Sequence, residues 1–475
     1  MKTAINFDSD SEILSPGSAI SPIDGRYHQR TKELSACFSE KALMKFRLMI
    51  EVEYLIVLSS IAGVVRPLTV REHSFLRGFY KEFSDVTFLR IKNIEKETNH
   101  DVNAVQRYFM ETLKSSFLGR LSGFVHLGLT SEDINNLAFA LMLRAGTDVL
   151  INRYELVARV IKDSLVKPYQ LTPLLARTHG QPASPTTVAW EMNVFVARLE
   201  EAIADLKNFS LSVKFGGATG GHNALNAAYP KVNWRNFSRK FIKHLNGFDQ
   251  VKQPLMQFRY NQYTTQIEPH DTYAKLFDII KRANTILIDY TRDMWLYISL
   301  EVFAQKTVEK EDGSSAMPNK VNPIDFENAE GNLGIANALF NFFAAELPVS
   351  RLQRHLTDST IIRNFGPAYA HTLVGLKSVS KGLSKVSVNT KHIQQELEAH
   401  WNVLAEAYQT ILRRAGVNDG YDLLKAITRG QEVSKENLHD FIDRLAIEKN
   451  LSASLVIELK ALTPHNYIGD RSIDV

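Results

Sequence analysis

Two apolar stripes, each too long for an ordinary globular helix, constrain this chain more than any other feature. Leu276, Ile280, Ala283, Leu287, Tyr290, Met294 and Tyr297 follow a 4-3-4-3 spacing, which places them on one helical face with Asp278, Lys281, Asp289 and Arg292 off it. Met192, Phe195, Leu199, Ala202, Leu206, Phe209 and Val213 repeat the spacing. Helices of this length exceed the ~10–14 residue average, so their stripes need several packing partners. Residues 324–346, closed by Leu347-Pro348, form a third candidate, and a fourth follows Asp133. Alternating β-branched runs bounded by turn residues hardly occur. The predicted class is therefore all-α, with a central bundle of long helices, and the stripes of Met, Phe and Tyr read as core.

The flanks differ from the middle. Residues 1–120 carry shorter amphipathic segments, such as 41–58 and 72–83, separated by breaks like Pro67. Residues 385–475 carry an amphipathic stretch over 393–414, then short helices separated by Gly416, Gly420 and Gly430. With 121–384 as the bundle, this gives three domains, which a chain of 475 residues can fill.

A formal charge of +4 without any block of like charges gives no basis for nucleic-acid or membrane-surface binding, and a mild basic excess suits a small anionic substrate. Cys37 stands alone, which excludes an intrachain disulfide and Cys-rich zinc patterns and fits a reducing cytoplasm. The N-terminal stretch has acidic residues where a signal peptide has its apolar core. No apolar run is expected to span a bilayer.

The chemistry concentrates in Gly313-Ser314-Ser315-Ala316-Met317-Pro318-Asn319-Lys320-Val321-Asn322-Pro323. Small residues free its backbone, the two prolines exclude a continuous helix or central strand, and hydroxyls stand near an ammonium and an amide. This composition reads as a mobile catalytic loop. Other polar clusters are Asp24-Gly25-Arg26-Tyr27, Thr98-Asn99-His100-Asp101, Thr130-Ser131-Glu132-Asp133, Arg177-Thr178-His179-Gly180-Gln181, the segment 264–269 and the segment 351–363. Thr130 or Ser131 can serve simply as a helix cap. His179, followed by Gly180, Gln181 and Pro182, lies in a stretch unsuited to a helix interior. Glu97/His100 and Glu436/His439 have the Glu-x-x-His spacing of di-iron helices, but no further carboxylates are placed to complete a site.

The loop resembles the GSSxMPxKxNP signature of the fumarase/aspartase superfamily, whose members eliminate fumarate from a succinyl group. SPIDGRY, TNHDV, LTSEDINNL, RTHGQPASPTT, YTTQIEPHD, GSSAMPNKVNPIDFENAEGNLG and LPVSRLQRHLTDSTIIRN, in this order across 21–471, are similar to the adenylosuccinate lyases within it. The resemblance implies a three-domain, all-α fold and a homotetramer whose active sites are shared between subunits. It implies a small-molecule nucleotide substrate, with no cofactor and no metal. Ser314 would be the base and His179 the proton donor, with His100 and His126 as rivals for the second role. Arg26, Tyr27, Arg354, Ser359 and Arg363 would hold the phosphate and nucleotide end, where guanidinium forks match phosphate. Thr130, Ser131, Lys320 and Asn322 would meet the succinyl carboxylates. Asn99, His100, Asp101, Gln266 and Asn328 are further contacts on the same ground. The sequence departs from the family pattern at Asn319 and His355, at Gly216, Gly221 and Leu225, and in a longer stretch over 250–262. A lyase acting on argininosuccinate and an inert helical scaffold are the competing readings.

Overall fold

The computed structural model describes residues 16–61, 63–247, 256–307, 317, 319–431 and 433–473. Helix dominates it. Among the described residues the strands form only three two-stranded sheets. Two compact units divide the chain: residues 1–154, 201–285 and 331–377 make the first, and 155–200, 286–330 and 378–475 the second.

The long helices lie where the apolar periodicity puts them. Leu276, Ile280, Ala283, Leu287, Tyr290 and Met294 are fully buried on helix Asp271–Ser299. Helix Ile324–Glu346 stops at the predicted residue, because Pro348 offers no N–H and restricts Leu347 before it. Helix Ser131–Ile161 begins inside the polar Thr-Ser-Glu-Asp segment, so Ser131, Glu132 and Asp133 form its first turn instead of preceding it. The run Ser131–Tyr169 has a mean hydropathy of 1.2 over its most apolar window, so by length and composition alone it could cross a membrane. Burial of 78% of that window inside the protein accounts for its composition as core.

Two periodic stretches break earlier than their spacing predicts. The second stripe is helical over Val188–Lys207, while Val213 ends a strand, Ser210–Val213, that pairs in parallel with Gln257–Tyr260. A partner remote in sequence thus overrides the local period. The stretch 393–414 splits into Thr390–Glu398 and Ala405–Arg414, with a 3₁₀ turn at Trp401–Leu404 between them. His400 causes the break: its Nδ1 lies 2.6 Å from Glu396 O, the carbonyl a continuing helix would pair with the His400 N–H.

In the first unit, helix Glu40–Leu58 starts at Ser39, whose hydroxyl accepts from Ala42 N. It buries three charges among its apolar residues: Arg47, Glu51 and Glu53. Glu53 is satisfied by both nitrogens of an Arg77 fork at 2.9 and 3.0 Å, by Tyr80 and by His244. In the second unit, Trp401, Tyr408, Leu412, Leu424, Leu438, Phe441 and Ile442 belong to the core of the C-terminal helices. An antiparallel hairpin, Pro173–Thr178 with Gln181–Thr187, belongs to the same unit.

Candidate active site

In the first unit the site is built around the start of helix Ser131–Ile161. Asp133 Oδ2 accepts from Thr130 N at 2.9 Å, closing the first turn from within. The same carboxylate accepts from the backbone N–H groups of Gly216 and Gly217, and Lys214 Nζ lies 2.8 Å from Oδ1. Both charged side chains are completely buried, so this pair locks the segment 214–217 to the helix N-terminus. Thr130 and Ser131 are half-buried, and neither hydroxyl has a hydrogen-bond partner among the described residues. Two free hydroxyls and a helix N-terminus together suit a carboxylate.

A continuous polar chain gathers many of the residues singled out from the sequence. Arg363 donates to Asp101 Oδ2, as does Arg47. Arg47 Nε donates to Asn135 at 2.9 Å, and Asn135 donates to Glu132 at 2.8 Å. Glu132 pairs with Arg354 at 2.9 Å, and Arg354 reaches Gln266 at 3.4 Å. Ser359 follows Asp358, whose carboxylate lies 3.8 Å from Arg354. Burial would raise the Asp101 carboxyl, but the Arg47 and Arg363 guanidiniums outweigh it and hold it at about 2. At any pH near neutrality Asp101 is therefore ionised and ties an exposed cation, Arg363, to a buried one.

The segment Asn99-His100 joins two helices. Asn99 ends Asp85–Thr98 in a left-handed conformation, and His100 caps Asp101–Lys114, its Nδ1 accepting from Asn103 N at 3.2 Å. That bond leaves the neutral ring's proton on Nε2. His126, the other rival histidine, lies 2.5 Å from buried Glu51. Burial pulls its imidazolium down, yet the Glu51 carboxylate prevails and raises it above the usual histidine value. Arg26 is exposed, and the half-buried Tyr27 ring lies 5.8 Å from Arg30.

In the second unit His179 and Gly180 are the two central residues of the hairpin turn, between paired Thr178 and Gln181. Both have positive φ, 53° and 75°, as a type I′ turn demands. The turn projects an exposed imidazole. Asn328, on helix Ile324–Glu346, accepts from the Ser378 hydroxyl at 2.7 Å. Lys320 is exposed, with its N–H turned back to Met317 O, and Asn322 is half-buried just before the helix. Ser314 lies outside the described residues, as do Ser315 and Pro318.

Sequence reasoning did not single out Arg47, Asn135, Glu132, Asp133 or Lys214 as individual site residues. A charge among Leu, Met and Ile on an apolar helix was the available signal for Arg47, since such a charge is tolerated only with a partner.

Residues 25–337 match the family profile described as Lyase, and residues 350–468 match one described as Adenylosuccinate lyase C-terminal. The adenylosuccinate lyase of Haemophilus influenzae is 44% identical over 461 residues, covering 96% of this chain and 97% of the relative. The chain belongs to the adenylosuccinate lyase family. Its Escherichia coli K12 member is 45% identical over 96% of this chain and 97% of its own, and its Dictyostelium discoideum member 44% identical over 95% and 96%. The fold is that of the wider superfamily. A fumarate lyase from Mesorhizobium superposes with a TM-score of 0.70 at 16% identity, covering 93% of this chain and 95% of that one. The 3-carboxy-cis,cis-muconate lactonizing enzyme of Pseudomonas putida gives 0.68 at 19% identity, covering 92% and 94%.

Proposed function

We infer that this protein is a carbon–nitrogen lyase that cleaves adenylosuccinate to AMP and fumarate, and the succinyl-carboxamide ribotide of purine synthesis to the carboxamide ribotide and fumarate. The observation that carries the reading is similarity to adenylosuccinate lyases along 96% of the chain. The elimination removes a proton from the carbon beside a carboxylate, holds the resulting aci-carboxylate, and protonates the leaving nitrogen. Ser314 takes the first proton, activated when the loop excludes water. His179 gives the second, a task that suits an imidazole near neutral pH.

The remaining residues bind. Arg363 and Arg354, with Arg26, Tyr27 and Ser359, hold the nucleotide phosphate. In support, Asp101 and Glu132 hold the two network guanidiniums in fixed positions before substrate arrives. Thr130 and Ser131 take a succinyl carboxylate with Lys320 and Asn322, while Asn99, His100, Asp101, Gln266 and Asn328 complete the contacts. The enzyme works as a cytoplasmic homotetramer with sites shared between subunits. Offering each substrate to the purified protein and following fumarate tests the function, with argininosuccinate as comparator. Release from both purine substrates is expected, and release from argininosuccinate alone overturns the reading.

A further inference from the structure

The turn that presents His179 stands at the end of a two-stranded hairpin, a unit only marginally stable by itself. Its base is buried through Leu174, Leu175, Thr186 and Thr187, whereas Thr178, His179 and Gly180 are exposed. The position of the imidazole therefore depends on whatever holds the strands between base and tip. Among the described residues two polar side-chain contacts do so, and both come from the C-terminal part of the second unit. Arg177, two residues before His179, forms an ion pair with Glu396 on helix Thr390–Glu398. Ser184 on the returning strand donates to Glu406 at the start of helix Ala405–Arg414, and Tyr467 donates to the same Glu406 oxygen at 2.9 Å.

These contacts approach from one side. Arg177 is paired with Pro182, and Ser184 lies two residues further along, so strand alternation sets all three on the same face. Beyond Tyr467, the Arg471 guanidinium lies 4.9 Å from the ring centre of Trp190, on the helix that follows the hairpin. The final segment of the chain thus straps both the hairpin and the element after it.

We propose that Arg177–Glu396 and Ser184–Glu406–Tyr467 form a clamp through which the C-terminal helices position the His179 proton donor. These are positioning residues, acting through His179, and the proposal rests on the role given to that histidine above. A displacement of about 1 Å at a reacting group costs as much as 10²-fold in rate, so the clamp is read in kcat and not in substrate affinity.

Steady-state kinetics of the full-length protein on adenylosuccinate test it, with Arg177→Gln, Glu396→Gln, Tyr467→Phe and His179→Asn compared. Arg177→Gln and Glu396→Gln should each lower kcat by about tenfold or more, with KM changed by less than about threefold, and the double variant should be no worse than the poorer single. The limb of the pH–kcat profile that reports the proton donor should move in Glu396→Gln. Tyr467→Phe removes one hydroxyl and should lower kcat in the same direction, which keeps the test open if an Arg177 variant fails to fold. In the His179→Asn background, Glu396→Gln should lower kcat no further. Wild-type kcat and pH profile in Glu396→Gln and Tyr467→Phe, with His179→Asn inactive, overturn the clamp alone. Wild-type kcat in His179→Asn overturns the role of the histidine and the clamp with it.

Discussion

Arg363 Nη2 lies 2.9 Å from Asp101 Oδ2, the oxygen that buried Arg47 already holds at 2.8 Å. One carboxylate therefore does two jobs of unequal energy. Arg47 is fully buried and needs its counter-charge, whereas Arg363 is nearly half exposed and gains little stability from the contact. Asp101→Ala should cost about 3–5 kcal/mol in chemical denaturation, because it strands a buried guanidinium. Arg363→Ala should cost no more than about 1 kcal/mol, yet weaken nucleotide binding. Equal stability losses in the two variants would contradict this division. Because the Asp101 carboxyl is held at about 2, its contribution is complete above the ordinary value of about 3.9 and is lost as pH falls through 2. Acid titration of stability should therefore lose that component in Asp101→Asn.

Asp133 carries a comparable load at the helix start. Asp133→Ala removes the counter-charge of buried Lys214, leaving its Nζ only the Gly217 carbonyl, and the acceptor of the Thr130, Gly216 and Gly217 N–H groups, and should destabilise by about 3–5 kcal/mol. Replacing both ions, as Asp133→Leu with Lys214→Met, should be less damaging than Asp133→Ala alone, since no uncompensated charge stays buried. Urea unfolding of the three proteins checks the order, and a double variant weaker than the single would refute it.

For the pair His126 and Glu51, the raised imidazolium contributes stability below the unfolded value of about 6.5 and loses it as pH rises through the folded pKa. The His126 ring resonances should titrate above 6.5 in the wild type. In Glu51→Gln the midpoint should drop, because burial is then opposed only by the weaker pull of the Asp133 charge. A midpoint unmoved by the substitution would show that Glu51 does not hold the charge.

The long helices were legible because a buried stripe repeats locally, and Leu276 to Met294 need no knowledge of the rest of the chain. The breaks at Lys207 and His400 were not, since the first depends on a strand that begins at Gln257 and the second on one side chain competing for a carbonyl. His179 was marked by its motif and by the unhelical Gly180-Gln181-Pro182. A hairpin was harder to read, because His-Gly is a weaker turn signal than Asn-Gly and the prolines at 182 and 185 demote the second strand. The polar chain shows the same limit: Arg363 and Asp101 stand out one by one, and Arg47 stands out as a charge among apolar residues, but only the fold shows that it joins them to Asn135.

Ser314 and Ser315 are adjacent hydroxyls, and the proposal gives the role of base to the first. Ser314→Ala should lower kcat by about 10²–10⁴ while substrate still binds, and Ser315→Ala should be milder. The reverse pattern in steady-state rates would move the base to Ser315.

In the proposed shared site, His179 and Ser314 come from different copies of the chain, and hybrid assembly tests this arrangement. His179→Ala and Ser314→Ala proteins, each inactive alone, are unfolded, mixed and refolded together, and fumarate release from adenylosuccinate is followed. Partial recovery of activity is expected, because some sites in a mixed tetramer draw both intact residues. Mixed tetramers, confirmed by mass, with no activity above either parent would contradict it.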